Sequence, residues 1–202
     1  MIGKRKVLVT TDDICPRNIE KYGHFWDELK QTHQNLRLLA FVTPFMDKDS
    51  SQHLKRGDRF SAWQQERKEW VTIGLHGLDH GFPPEFKRQF HEKRMLISES
   101  LNILTGFLPK IWSAKPPGYH YDDDSLEILR FFGCRWVFLW HDVVKDLRRG
   151  LVFRLNDVIS THTNGISADS IEKVFYRLNL EFKDCDFTNP EEIHENIITG
   201  TF

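Results

Sequence analysis

The sequence predicts an α/β fold built on a mainly parallel sheet. Three observations point there. Short aliphatic, β-branched runs alternate with segments whose apolar residues recur at helical spacing. Reactive side chains gather just after those strand runs, where parallel α/β folds build their sites. The 202 residues, 40% hydrophobic and 28% charged, can bury one substantial core and are read as one domain, residues 1–202. Six or seven strands with right-handed crossovers suit either an open doubly wound sheet or an incomplete barrel.

Each element has its own signal. Residues 6–10 (KVLVT) form a buried strand. Ile19, Tyr22, Phe25, Trp26 and Leu29 lie on one face of a helix. Residues 36–43 (LRLLAFVT) are a second strand, ended by Pro44, and the polar stretch 47–59 is a loop. Residues 63–70 form a short helix and 71–75 a third strand. Phe90, Ile97, Leu101, Leu104 and Leu108 mark one face of a longer helix that Pro109 stops. Residues 111–114 are a fourth strand. Asp122, Asp123 and Asp124 cap a helix bearing Leu126 and Leu129, and Gly133 ends it. Residues 136–140 and 158–161 are strands five and six. Ile171, Val174, Phe175 and Leu178 mark a last helix, and the tail from Glu181 is irregular.

Charge and cysteine usage narrow the function. Twenty-eight Lys and Arg balance 29 Asp and Glu, which argues against gripping nucleic acid by bulk charge. Cys15, Cys134 and Cys185 form no CxxC pair, so neither a disulfide framework nor a thiolate zinc site is expected. The apolar run near the N-terminus, Val7 to Val9, is too short for a signal peptide. No stretch approaches the ~18 apolar residues of a membrane helix. The expectation is a cytoplasmic protein.

Five strand ends carry chemistry: Asp12-Asp13 after the first, His76 and His80 after the third, Lys115 to Gly118 after the fourth, His141-Asp142 after the fifth and His162 after the sixth. Two imidazoles three residues apart can meet one metal ion, with a carboxylate from a neighbouring strand end as third ligand. Such a set leaves positions open for water and substrate, the pattern of a catalytic site. Adjacent aspartates diverge, so one can bind metal while the other faces a water. The competing reading of the Asp pair is a cap for the helix starting near Pro16. His162 can give a proton to a departing amine. His24, His33, His53, His91 and His194 read as surface, and His120 and His141 as possible substrate neighbours. Cys15 reads as a packed small residue, and Trp112, Trp136 and Trp140 as core strand residues.

These residues resemble the metal-dependent polysaccharide deacetylases, the NodB-homology domain of carbohydrate esterase family 4. The similarity runs from about Lys6 to Thr163. TTDD (10–13) resembles the family's TFDDG, and HGLDH (76–80) its HSxxH or HTxxH. AKPPGY (114–119) resembles FRPPYG, residues 140–146 a strand end followed by an Asp-Trp pair, and STH (160–162) Leu-x-His. The resemblance implies a distorted (β/α) barrel with fewer than eight parallel strands. It implies one divalent ion, commonly zinc, on Asp13, His76 and His80, with Asp12 as general base and His162 as general acid. Lys115 would stand for the arginine that pairs with the base, and Asp146, with Asp142 as its rival, for the aspartate that tunes the acid. Gly118 is the first N–H after two prolines and would bind the oxyanion, with Pro117, Tyr119 and Trp140 lining the substrate pocket. The reaction would free acetate from an N-acetylated sugar or glycan precursor. Departures are Gly77 for Ser or Thr, Ile14 for Gly, Lys115 for Arg, Gly118-Tyr119 for Tyr-Gly, Leu147 for a substrate-facing Trp and Ser160 for Leu. They motivate an alternative: a metal-containing glycan-binding relative that has lost catalysis. A two-His-one-carboxylate iron oxygenase shares the ligand set, but its common fold is all-β.

Overall fold

The structure, a computed structural model, describes residues 5–46, 53–54, 59–81, 83–107 and 111–188. The loop expected at 47–59, apart from residues 53, 54 and 59, lies outside the described residues. So do Leu108, Pro109, His194 and the tail beyond 188.

Strand β1 (Arg5–Ile14) leads into α1 (Pro16–Thr32), then β2 (Leu38–Val42), α2 (Arg59–Arg67) and β3 (Val71–Leu75). A 3-10 turn (Glu85–Lys87) precedes α3 (Phe90–Thr105) and β4 (Ser113–Ala114). A second 3-10 turn (Pro117–Tyr119) leads to α4 (Asp123–Phe131) and β5 (Trp136–Phe138). Then come β6 (Val143–Asp146), β7 (Leu151–Arg154), β8 (Val158–His162), α5 (Ile171–Glu181) and β9 (Cys185–Phe187). The strands form one sheet in the order β7-β6-β5-β4-β3-β2-β1-β8, with β9 also on β1. Pairing is parallel except in the β5–β6 and β6–β7 pairs.

The sheet is a half-barrel in which β1 to β5 are buried on both faces, while β6 and β8 are buried at alternate positions and β7 is largely exposed. Strand side chains alternate with period two. Leu8, Leu39, Phe41, Trp136, Phe138, Val144 and Leu155 meet in one cluster inside the curl. Leu8 and Trp136 lie on strands that are not neighbours in the sheet, and only curvature lets them share a cluster. The alternate residues Val7, Val9, Leu38, Ala40, Val42, Ile73 and Val137 face outward against Trp26, Leu29, Leu101, Leu129 and Leu178 of the helices. Gly74 takes an inward position because a Cβ there would lie 2.7 Å from the Phe41 ring. The same parity sends Asp12, His76, Lys115 and His162 to the inner face at the C-terminal rim.

Several local expectations change. The buried residues of α5 are Ile171, Val174, Phe175 and Leu178, as the periodicity implies. Phe90, expected on the buried face of α3, is 47% exposed on the helix's first turn. Helix α2 begins and ends earlier than the tryptophan spacing suggests. The fifth strand stops at Phe138, and Trp140 leaves the sheet 53% exposed rather than joining the core. Residues 143–154, to which no element is assigned above, form an antiparallel hairpin. The tail is not wholly irregular either, since β9 pairs with the start of β1. Neither aspartate of the pair caps α1. Its N-cap is Cys15, which makes no side-chain cap bond. Asp122 does cap α4, accepting from Ser125 N–H at 2.9 Å in a capping box. Among the described residues no helix is long and apolar enough to cross a membrane.

Candidate active site

Three of the side chains from these strand ends, Asp13, His76 and His80, lie together as a group that could hold a metal ion. Oδ1 of Asp13 lies 3.8 Å from Nε2 of His76 and 3.8 Å from Nε2 of His80. Two bonds of ~2.1 Å to one ion allow at most ~4.2 Å between ligand atoms, so both spacings fit a shared cation. Asp13 Oδ1 is buried and has no hydrogen-bond partner among the described residues. An orphaned carboxylate oxygen facing two imidazole nitrogens is costly unless a cation completes it. The surroundings orient the donors. His76 Nδ1 lies 2.6 Å from the Lys115 carbonyl oxygen and so donates to it, leaving the Nε2 lone pair toward Asp13. Burial holds the His76 pKa down, keeping the ring in the neutral form that binds metal. Asn164 Nδ2 donates to Asp13 Oδ2 at 2.6 Å, and Asn18 to the Asp13 carbonyl at 2.9 Å.

The second aspartate has different company. Asp12 is buried, and its Oδ2 lies 2.6 Å from Lys115 Nζ and 3.6 Å from His162 Nε2. Burial alone would raise its pKa, but Lys115, His76 and His162 together hold it below the usual carboxylate range. Its Oδ1 has no partner among the described residues. Lys115 also donates to Ser160 Oγ at 2.9 Å. His162 is turned by Asp169, whose Oδ1 lies 2.9 Å from its Nδ1.

Backbone strain concentrates here. Among the described residues, the non-glycine positions with left-handed φ are Asp13 (61°), His80 (56°) and Tyr119 (58°). Such conformations cost ~1–3 kcal/mol each and persist where the surroundings enforce them. In the proline turn, Tyr119 N–H and His120 N–H close back on the Pro116 and Pro117 carbonyls, and Gly118 sits at φ 58°. Tyr119 packs on Trp140 (centroids 4.6 Å) and His141 (5.0 Å), and its hydroxyl lies 2.7 Å from His141 Nδ1. Burial raises the Tyr119 pKa, so the phenol stays protonated.

The structure thus brings together Asp12, Asp13, His76, His80, Lys115 and His162, with Pro117, Gly118, Tyr119 and Trp140 at the rim. It does not bring Asp146 to them. Because β6 runs antiparallel to β5, Asp146 pairs with Trp136 at the far end of the sheet. There it accepts from Arg135 and from the Arg148 and Arg149 amides at the hairpin turn. Leu147 beside it is core. Three contributors carried no sequence motif: Asp169, Asn164 and Glu85. Glu85 is fully buried and accepts hydrogen bonds from the Leu78, Asp79 and His80 amides. Burial pushes its carboxyl up to about 7.

No model of a known protein family matches the chain, and no curated protein matches it. Solved structures do. A family 4 carbohydrate esterase from Streptomyces lividans, in complex with acetate, superposes with a TM-score of 0.63 at 14% identity over 93% of each chain. The peptidoglycan deacetylase PdaC from Bacillus subtilis gives 0.61 at 16% identity, over 96% of this chain and 91% of its own. A family 4 pseudoenzyme from Bacillus anthracis gives 0.58 at 13%, over 95% and 66%. The chain therefore has the fold of the family 4 carbohydrate esterases, a distorted, incomplete (β/α) barrel.

Proposed function

We propose that this chain is a metal-dependent deacetylase of the family 4 type, removing acetyl from the nitrogen of an N-acetylated sugar or glycan precursor. The observation that supports it most is the division of labour between adjacent aspartates. Asp13 faces two imidazoles. Asp12 faces a buried ammonium and keeps one oxygen unpartnered. Asp13, His76 and His80 would hold the ion, and two neutral imidazoles with one carboxylate suit zinc. A bound ion supplies Lewis-acid polarisation of the acetyl carbonyl and acidifies water.

The chain's own residues do the rest. Asp12 takes the proton of the attacking water on Oδ1 while Lys115 fixes Oδ2. Lysine lacks arginine's planar fork, yet at 2.6 Å it keeps the contact with the base. Gly118 N–H faces the developing oxyanion. His162, turned by Asp169, gives its Nε2 proton to the leaving nitrogen. Tyr119 and Trp140 offer aromatic faces to the sugar ring.

The test is acetate release from a panel of N-acetylated sugars by zinc-loaded protein, beside Asp12→Asn. The expected result is metal-dependent release that Asp12→Asn abolishes while metal content is unchanged. No release from any sugar would leave the glycan-binding relative as the correct reading. Full activity in Asp12→Asn would overturn the role of the base.

A further inference from the structure

The two histidines of the ligand set are secured in different ways. His76 is buried and anchored through its ring to the Lys115 carbonyl. The His80 side chain is 38% exposed; its ring lies against that of His76, centroids 5.2 Å apart, and no ring hydrogen bond anchors it among the described residues. Its direction therefore depends on its backbone, which sits at φ 56°.

That backbone is wrapped around one carboxylate. Glu85 Oε1 accepts from the Asp79 N–H at 2.9 Å and the His80 N–H at 2.8 Å, and Oε2 accepts from the Leu78 N–H. Three successive amides converge on a single fully buried side chain from outside the motif. Gly77 makes room for it. A Cβ there would lie 2.8 and 2.9 Å from the two Glu85 oxygens and 2.9 Å from Pro117 Cγ. A side chain at 77 and a carboxylate at 85 exclude each other, which accounts for glycine where the resembled motif has a hydroxyl residue.

We propose that Glu85 is the positioning residue of the metal site, holding the 78–80 backbone so that His80 Nε2 meets Asp13 Oδ1. This rests on the metal reading above. Glu85 touches neither ion nor substrate; it acts through three N–H groups. Partners of this kind are typically worth ~10–100-fold in metal affinity.

The test titrates zinc, then cobalt(II), into metal-free wild type, Glu85→Gln and His80→Ala. Glutamine keeps the volume but turns an amide donor toward one of the loop N–H groups. Glu85→Gln is expected to bind zinc ~10–100-fold more weakly, between wild type and His80→Ala, with an altered cobalt d–d spectrum and unchanged near-UV circular dichroism. Equal affinity and an identical spectrum would overturn the role of Glu85 and leave the deacetylase reading standing. A wild type that binds neither ion would overturn both. Amide hydrogen exchange in metal-free wild type needs no variant to fold: protection at Leu78, Asp79 and His80 is expected, and exchange at free-loop rates would refute the proposal.

Discussion

Lys115→Met is the sharpest perturbation this architecture allows. Methionine preserves most of the lysine's length and removes its charge. Lys115 and Asp12 are both buried, 1% and 3% exposed, and lie 2.6 Å apart. Removing one partner of such a pair leaves the other charge uncompensated, at a cost of about 3–5 kcal/mol. For a chain of this length, ~1 kcal/mol moves the melting midpoint by ~2–4 °C, so a drop of roughly 6–20 °C is expected near pH 8. The pH dependence identifies the cause. In the wild type, Asp12 is held below its unfolded pKa, so its stabilisation is present above ~pH 4 and lost as pH falls through the folded value. In Lys115→Met, burial loses its chief opponent and pushes the folded pKa above the unfolded one. The sign reverses, and stability falls as pH rises through the new value. The difference between the two proteins must therefore grow from pH 4 to pH 8. Urea unfolding with chelator present, at several pH values in that range, reads this directly. A pH-independent difference, or one under ~1 kcal/mol at pH 8, would refute the buried-pair argument. Asp12→Asn supplies the control: in that background Lys115→Met should cost little or stabilise, because the stranded charge is then the lysine.

Two other substitutions probe separate parts of the site. Gly77→Ala forces a side chain into a φ of 82° and within 2.9 Å of Glu85 and Pro117. It should cost at least ~1–2 kcal/mol in unfolding experiments, and a neutral result would contradict the packing of the 76–80 loop. Asp169→Ala removes the acceptor that turns His162. With an active substrate in hand, it should lower turnover at least ~10-fold without changing zinc content, as for a mispositioned general acid.

How much of this was legible in the sequence depended on whether a signal was local. The strand ends bearing Asp12, His76, Lys115 and His162 were readable because strand parity and turn residues act over a few positions. That these residues converge followed from strand–helix alternation, since parallel strands deliver their C-terminal ends to one rim. The misreadings came from pairing, which is non-local. Residues 143–154 alternate weakly around Arg148-Arg149-Gly150, and nothing within them says that β6 turns back along β5. The reversal carries Asp146 to the opposite end of the sheet, where motif order alone had set it beside His162. The carboxylate that does lie against the imidazole is Asp169, seven residues past His162, which the loop after β8 folds back onto it. Glu85 escaped notice for a related reason. As a lone acidic residue after two prolines it reads as surface, and only the three amides gathered around it show otherwise. Gly77 was the available clue: a glycine where a hydroxyl residue is usual leaves space and unpaired amides, and some other side chain must supply the missing acceptor.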